Sequence, residues 1–430
     1  MPIKILATAD IHMGKRSTHF EAGRREASTV NTWNAMVDKA IESAVDFVVL
    51  PGDVVDRENR YFEALGPLQS GLERLAGKGI HVLLTAGNHD HDVLPDLLRL
   101  VDHPNVRLLG ARGRWESWET EVRGIPIRFL GWSFPNTHHR MDPMHTFPGY
   151  PERPVQVTVG LLHGDHGTPA SAYAPIDPAN LVRREVDVWV LGHIHKPLVH
   201  REKGPMVFYP GSPHAMSPKE DGPHGPVLLE IEGRDSIVRR VMPMSPILYE
   251  TLSMDLTAKE MASDARLEVM DRIREHGQDS RISQQGLTRI VYDLELTVDR
   301  RQLHEWEDWR REITALDGTL SGGCSYAVRK ANVYGKVAAS ELEEVAKEPT
   351  DAGELAKALI ALDTGGKNPL IETLRNDWFV KYKKLRANTI YLSLRDRMDA
   401  SYVSAEQAMN EHLRRQGMRL LDKLLKQRNP

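Results

Sequence analysis

Five short segments rich in Asp, His, Asn and Gly each follow directly on an apolar, β-rich run, and this arrangement limits the fold more than any other feature of the chain. The runs are Ile3–Ala9, Phe47–Pro51, His81–Ala86, Val155–Leu162 and Val186–Leu191. The segments behind them are Asp10-Ile11-His12, Gly52-Asp53-Val54-Val55-Asp56, Gly87-Asn88-His89-Asp90, His163-Gly164-Asp165-His166 and Gly192-His193-Ile194-His195. The runs have few polar interruptions, as strands covered on both faces do. Helical patterns over Glu26–Ala44 and Tyr61–Ala76 separate the first three runs, so a layered α/β domain with largely parallel pairing is expected. Further strands over Val106–Leu109, Ile125–Leu130, Met206–Tyr209 and Pro226–Ile231 make it a β-sandwich flanked by helices. Ligands gather beyond the carboxyl ends of strands in such sheets. Five separate pieces of chain should therefore converge on one edge.

That edge would carry Asp, Asn and His without thiolate, because the chain has a single cysteine, Cys324. One cysteine also excludes an internal disulfide, which fits a reducing compartment. Imidazole nitrogen with carboxylate or amide oxygen is a donor set suited to Mn²⁺, Fe²⁺ or Zn²⁺. Residues two apart on an extended segment point to the same side, so Asp10 with His12, and His193 with His195, can aim at a common centre. Gly52, Gly87, Gly164 and Gly192 beside them allow sharp turns and close backbone approach. Any one of these motifs alone reads as an ordinary turn or a core histidine. Their recurrence in order, each at a strand end, is what points to a site.

Met242–Pro246 reads as a linker, and the pattern changes after it. Strand-like runs at Tyr249–Leu256, Thr288–Leu296 and Ser325–Val333 alternate with helical ones at Ala262–His276 and Gln302–Leu316, which gives a small α+β domain. From about Ser340 the periodicity is helical, with breaks at Glu348-Pro349, Gly365-Gly366 and Asn368-Pro369. The expected organisation is an α/β domain over 1–245, an α+β domain over 246–337 and a helical, basic region over 338–430. With 40% hydrophobic and 27% charged residues, disordered and collagen-like classes are excluded. No apolar run reaches the roughly 18 residues of a membrane span, and the opening residues lack a signal-peptide core. A soluble, cytoplasmic protein with no membrane partner is expected. The net charge of −4 conceals a gradient. Val380–Pro430 holds twelve Lys or Arg against five Asp or Glu, so the tail is +7 and the rest −11. Leu413, Leu420, Leu421, Leu424 and Leu425 share one helical face there, and such a helix should dock on a partner or on its own chain.

The order D-x-H, GD, GNH[DE], His, GHxH resembles the calcineurin-like metallophosphoesterases, over about residues 1 to 240. Within them the opening ILATADIHMG, the segment LLHGDHG, Tyr209-Pro210-Gly211-Ser212-Pro213 and the extra α+β domain are similar to the SbcD branch. Those proteins are nuclease subunits that pair with an SbcC-like coiled-coil ABC-type ATPase, and their relatives process DNA double-strand breaks. The resemblance implies two divalent metal ions, Mn²⁺ foremost, with Mg²⁺, Fe²⁺ or Zn²⁺ as alternatives. Asp10, His12 and His195 would bind the first, Asn88, His163 and His193 the second, and Asp53 would bridge. His89 is the implied catalytic residue. Asp56 stands where archaeal and eukaryotic relatives carry His, so a second histidine on the leaving group is not assumed. Asp90 would orient His89, and Asp165, His166 and His91 would support the site in the same way. A capping role for the α+β domain, a C-terminal contact with the ATPase and homodimerisation follow from the same resemblance.

The implied activity is a 3′-to-5′ DNA exonuclease with endonuclease action on single strands or hairpins. A phosphodiesterase or phosphatase for small nucleotides is the alternative, and a regulatory subunit with a vestigial site the third reading. Lys15, Arg16, Arg24, Arg25, Arg57, Arg60 and Arg140 lie in loops around the site motifs, as suits a phosphate backbone, although solvated surface charge explains any one of them equally well. Trp306 and Trp309 share a helical face and would either pack in the core or stack on bases.

Overall fold

The computed structural model describes residues 2–19, 27–56, 64–149, 155–182, 185–259, 262–278, 286–300, 303–320, 323–337, 339–375 and 402–427. The chain divides into two compact units. The first is Met1–Glu250 with Ser280–Val291 and Gly323–Ser325, and the second is Thr251–Asp279, Tyr292–Gly322 and Tyr326–Pro430.

Two six-stranded sheets make the first unit. Its strands are β1 (Ile3–Ala7), β2 (Phe47–Pro51), β3 (His81–Thr85), β4 (Val106–Leu108), β5 (Trp115–Val122), β6 (Ile125–Trp132), β7 (Val157–His163), β8 (Val188–Gly192), β9 (Leu198–Arg201), β10 (Met206–Tyr209), β11 (Val227–Gly233) and β12 (Ser236–Val241). The first sheet runs β12-β11-β1-β2-β3-β4 and the second β5-β6-β7-β8-β10-β9. Each has a parallel core: β1 to β4 are parallel to their neighbours, and so are β6, β7, β8 and β10. Antiparallel strands extend both cores, with β11 and β12 on the first sheet, β5 and β9 on the second. The sequence patterns do not announce β5, β9 and β12. β5 and β12 are polar and half-exposed, and β9 is only four residues long, so none shows the apolar run that marks a buried strand.

The alternation of side chains across each strand builds three apolar layers. Ile5, Phe47 and Val49 of the first sheet meet Phe129, Val159 and Val190 of the second in the middle layer. The helices Thr29–Glu42 and Leu65–Gly77 cover the other face of the first sheet with Trp33, Met36, Leu68 and Leu72. Trp132, Leu162, Trp189 and Leu191 cover the outer face of the second sheet with Met144 and Leu181. The unit is thus a mixed α/β sandwich whose parallel strands all deliver their carboxyl ends to loops at one edge. Gly71 makes one of the helix contacts: a Cβ there would lie 2.3 Å from Trp33 Nε1, which donates to Pro67 O at 2.9 Å.

The second unit carries a four-stranded sheet in the order β13-β14-β16-β15, from β13 (Ile247–Asp255), β14 (Arg289–Asp299), β15 (Asp317–Thr319) and β16 (Ser325–Lys336), with β13, β14 and β16 beginning in the first unit's segments. Its helices include Ala262–Gln278, Leu303–Thr314, Ala339–Val345, Asp351–Thr364 and Tyr402–Lys426. Trp306 is fully buried and meets Trp309 edge-to-face at 4.8 Å, so Trp306 is a core residue rather than a base-stacking surface. The leucine face of the C-terminal helix packs on its own chain. Leu421 and Leu425 join Val337, Leu342, Ala356 and Leu359 in one core, and Leu413 lies on Ala358, Leu362 and Ile371. Of the five leucines only Leu420 stays largely exposed, at 51%. No helix among the described residues is long and apolar enough to cross a membrane.

Candidate metal centre

The five motifs meet at the carboxyl ends of β1, β2, β3, β7 and β8, and hydrogen bonds between backbone groups stitch their loops together. Asp10 N–H donates to Gly52 O at 3.2 Å, His12 N–H to Asp53 O at 3.0 Å, and Gly164 N–H to Gly192 O at 3.0 Å. The glycines are needed for this approach. A Cβ on Gly192 would lie 1.9 Å from Pro51 O, and one on Gly87 would lie 2.2 Å from Asp53 Oδ1. Asp10 (φ 52°), His12 (φ 46°), Asp53 (φ 51°) and His193 (φ 103°) all have positive φ. Such backbone costs roughly 1 to 3 kcal/mol per non-glycine residue and clusters at functional sites.

The polar atoms delivered this way face one another. His12 Nε2 lies 3.1 Å from His195 Nε2, and Asn88 Oδ1 lies 3.1 Å from His163 Nε2. Asp53 Oδ2 is between the two groups, 3.7 Å from His12 Nε2 and 3.4 Å from His163 Nε2. Three sets of donor atoms lie within 4.8 Å of one another: Asp10, His12 and His195; Asp53, His163 and His193; and His12, Asp56 and His89. Asp10, His12, Asp53, Asn88 and His163 are all buried. Burial alone would raise the pKa of Asp53, but the attraction and hydrogen bond of His163, with His12 and His89 adding to it, hold the carboxylate far below its usual range. Burial would lower His163, and the charge of Asp53, its hydrogen bond and Asp10 drive it up to about 9 instead. The cluster therefore calls for positive charge. Nitrogen and oxygen donors without sulfur, gathered around the Asp53 carboxylate, fit divalent cations of the Mn²⁺, Fe²⁺ or Zn²⁺ kind.

His89 sits at the rim, a third exposed, with its amide donating to Asp53 Oδ1 at 2.9 Å and its Nδ1 3.8 Å from Asp56 Oδ1. Asp56 also lies 3.3 Å from His12 Nδ1 and 3.1 Å from Lys15 Nζ. Burial opposes its ionisation, yet the His12 hydrogen bond and Lys15 keep it well below the usual carboxylate range. Asp90 makes no hydrogen bond to His89, the role expected of a carboxylate beside it in the sequence. Its oxygens accept from Val54 N at 2.7 Å, Val55 N at 3.3 Å and Gly87 N at 2.8 Å, so it ties the second motif loop to the third. His166 is also placed otherwise than expected. Its ring lies 4.0 Å from that of His200, where burial and His200 push it down to about 3, and its amide donates to Tyr209 Oη. His91 meets Thr137 Oγ1, while Asp165 Oδ1 is 3.6 Å from His193 Nε2. Arg16 and Arg140 are exposed and Lys15 is partly so. Arg24, Arg25, Arg57 and Arg60 lie outside the described residues. One contact had no signal in the sequence: Glu220 Oε1 is 3.1 Å from His195 Nδ1, brought there by a loop 25 residues further on.

Residues 3–197 match the family model described as calcineurin-like phosphoesterase. The first unit carries a calcineurin-like metallophosphoesterase domain, and the family's chemistry is hydrolysis of phosphoesters. Among similar proteins, the metallophosphoesterase YhaO of Bacillus subtilis is 32% identical over 245 residues, 56% of this chain and 59% of its own. The DNA double-strand break repair protein Mre11 of Methanosarcina acetivorans is 26% identical over 262 residues, 59% of this chain and 41% of its own. Mre11 of Methanopyrus kandleri is 23% identical over 231 residues, 50% and 49% of the two chains. The chain spans about half the length of the curated relatives it matches.

Proposed function

We propose that this chain is a two-metal-dependent DNA phosphodiesterase, a 3′-to-5′ exonuclease with endonuclease action on single strands or hairpins. It would act in double-strand break repair as a cytoplasmic homodimer with a coiled-coil ABC-type ATPase. The observation that carries the reading is the buried Asp53 carboxylate, with one oxygen 3.7 Å from His12 Nε2 and 3.4 Å from His163 Nε2. A shared carboxylate between two donor sets is what a two-cation centre requires. Asp10, His12 and His195 would hold one ion, Asn88, His163 and His193 the other. Two such ions, Mn²⁺ foremost, would supply charge stabilisation for an in-line phosphoryl displacement and a water of lowered pKa.

The remaining work falls to the chain's own groups. The backbone of His89 is held by its amide, its Nδ1 lies 3.8 Å from Asp56 Oδ1 and its side chain is a third exposed, so the ring can donate to a phosphoryl oxygen or protonate the leaving oxygen. Asp90 holds the two loops that position Asp53 and Asn88. Lys15, Arg16 and Arg140 supply positive charge around the site motifs, where a nucleic acid backbone needs it. DNA as the substrate is supported by the relatives named as double-strand break repair proteins. The leucine face of the C-terminal helix is occupied by its own unit, so an ATPase would bind other surfaces of this region.

The test is hydrolysis of linear duplex and hairpin DNA by the purified protein with Mn²⁺ or Mg²⁺, beside a small phosphodiester, with Asp53→Asn as the control. DNA degradation that disappears in the control is the expected result. Hydrolysis of the small ester alone would replace the nuclease reading with that of a small-nucleotide phosphodiesterase. Inactivity with every metal, with and without the ATPase, would leave a regulatory subunit.

A further inference from the structure

Glu220 is deeply buried and its carboxylate is saturated with donors. Oε2 accepts from Met216 N at 2.8 Å and Ser212 Oγ at 3.3 Å, and Oε1 meets Ser217 Oγ at 3.4 Å and His195 Nδ1 at 3.1 Å. A carboxylate surrounded in this way can only accept, so the hydrogen between it and His195 resides on Nδ1. The lone pair of His195 is thereby left on Nε2. On the facing imidazole, His12 Nδ1 lies 3.3 Å from Asp56 Oδ1 without a well-formed hydrogen bond, so no comparable contact fixes the tautomer of His12. The Nε2 atoms of His12 and His195 lie 3.1 Å apart, with Asp53 Oδ2 3.7 Å from that of His12, so the His195 lone pair is aimed at a hydrogen on His12 Nε2 or at a cation between them.

The other donor set is backed differently. His163 Nδ1 is held by Pro51 O at 3.1 Å, a neutral backbone carbonyl, and His193 Nε2 is 3.6 Å from Asp165 Oδ1, beyond a hydrogen bond. We infer that Glu220 is the positioning residue of the Asp10, His12 and His195 site: it fixes the tautomer and ring orientation of His195 and raises its basicity as a ligand, for that one cation and not for the other. The inference rests on reading the cluster as a two-cation centre. Groups that hold a ligand histidine from behind change metal affinity by about 10- to 100-fold when removed.

The experiment is Mn²⁺ titration of the full chain by calorimetry, comparing wild type, Glu220→Gln and Ser217→Ala. In parallel, imidazole ¹⁵N spectra of the metal-free protein report the His195 tautomer. The expected result is two ions on the wild type, one of them at least tenfold weaker in Glu220→Gln, the other unchanged, and a shift of the His195 tautomer away from Nδ1–H. Ser217→Ala, which removes a neighbour of the carboxylate but not the His195 contact, should keep both affinities. Two ions bound with unaltered affinities by Glu220→Gln, or an unshifted tautomer, would overturn the role of Glu220 and leave the two-cation centre standing. A wild type that binds no Mn²⁺ would overturn both. If Glu220→Gln does not fold, Glu220→Asp, which keeps the charge but withdraws it from His195, is titrated in its place with the same criteria.

Discussion

Acidification should loosen the loop that carries Glu220, and His214 sets the size of the effect. His214 is fully buried between Thr32 Oγ1, 2.7 Å from Nδ1, and Ser17 Oγ, 2.6 Å from Nε2. Ser17 gives its own hydrogen to Ala215 O at 2.6 Å, so its oxygen accepts from His214 Nε2–H and the Thr32 hydroxyl donates to Nδ1. The neutral ring is fully satisfied, and a second ring proton would meet the Thr32 donor. Burial accordingly pushes His214 down to about 4 from its ordinary 6.5. Between those two values the unfolded chain binds a proton that the native chain does not, so stability falls as pH falls through that window and is fully present above it. At 1.36 kcal/mol per unit the whole window is worth about 3 kcal/mol. Urea unfolding of wild type and His214→Gln at pH 7.5, 5.5 and 4.5, followed by tryptophan fluorescence, measures it. Five of the eight tryptophans lie in the first unit, so the signal reports mainly on that unit. The variant should be less stable at pH 7.5 but should lose about 2 to 3 kcal/mol less than wild type on going to pH 4.5. Parallel losses in the two proteins would refute the assignment of a buried neutral imidazole.

Three further outcomes follow from the same geometry. His89→Gln should keep Mn²⁺ binding while lowering turnover by about 10²- to 10⁴-fold, measured as kcat on DNA at saturating metal; loss of metal binding would make His89 a ligand instead. Gly192→Ala should drive a Cβ into Pro51 O and His163 Nδ1 and cost about 1 to 3 kcal/mol or more, with loss of the second metal, read by thermal unfolding and Mn²⁺ titration. Replacing exposed Arg16 and Arg140 by Glu should weaken DNA binding and flatten its dependence on log salt by about one unit for each phosphate no longer neutralised, as fluorescence anisotropy would show; an unchanged slope removes them from the DNA surface.

The convergence of the five motifs was legible because each sits at the carboxyl end of an apolar strand, and strand burial is a local pattern. Phe47–Pro51 and Met206–Tyr209 were bounded to the residue for the same reason. Edge strands β5 and β12 escaped because half-exposed strands carry polar residues that only their neighbours explain. The partners of the site histidines escaped more completely. Asp90 belongs to a motif, yet its role depends on the amides of Val54 and Val55, which are presented by a different loop. Glu220 lies among ordinary turn residues, and nothing short of the packed loops puts it behind His195. The C-terminal leucine face was visible as an apolar stripe, but periodicity cannot say what covers it; Leu359 and Val337 of the same chain do.

The central claim, that this cluster is a two-cation centre sharing Asp53, is tested most directly by anomalous diffraction at the manganese edge from crystals soaked in Mn²⁺. The account predicts two peaks, one contacted by Asp10, His12 and His195, the other by Asn88, His163 and His193, with Asp53 touching both and both peaks absent in Asp53→Asn. A single peak, or none at concentrations that support hydrolysis, would contradict it.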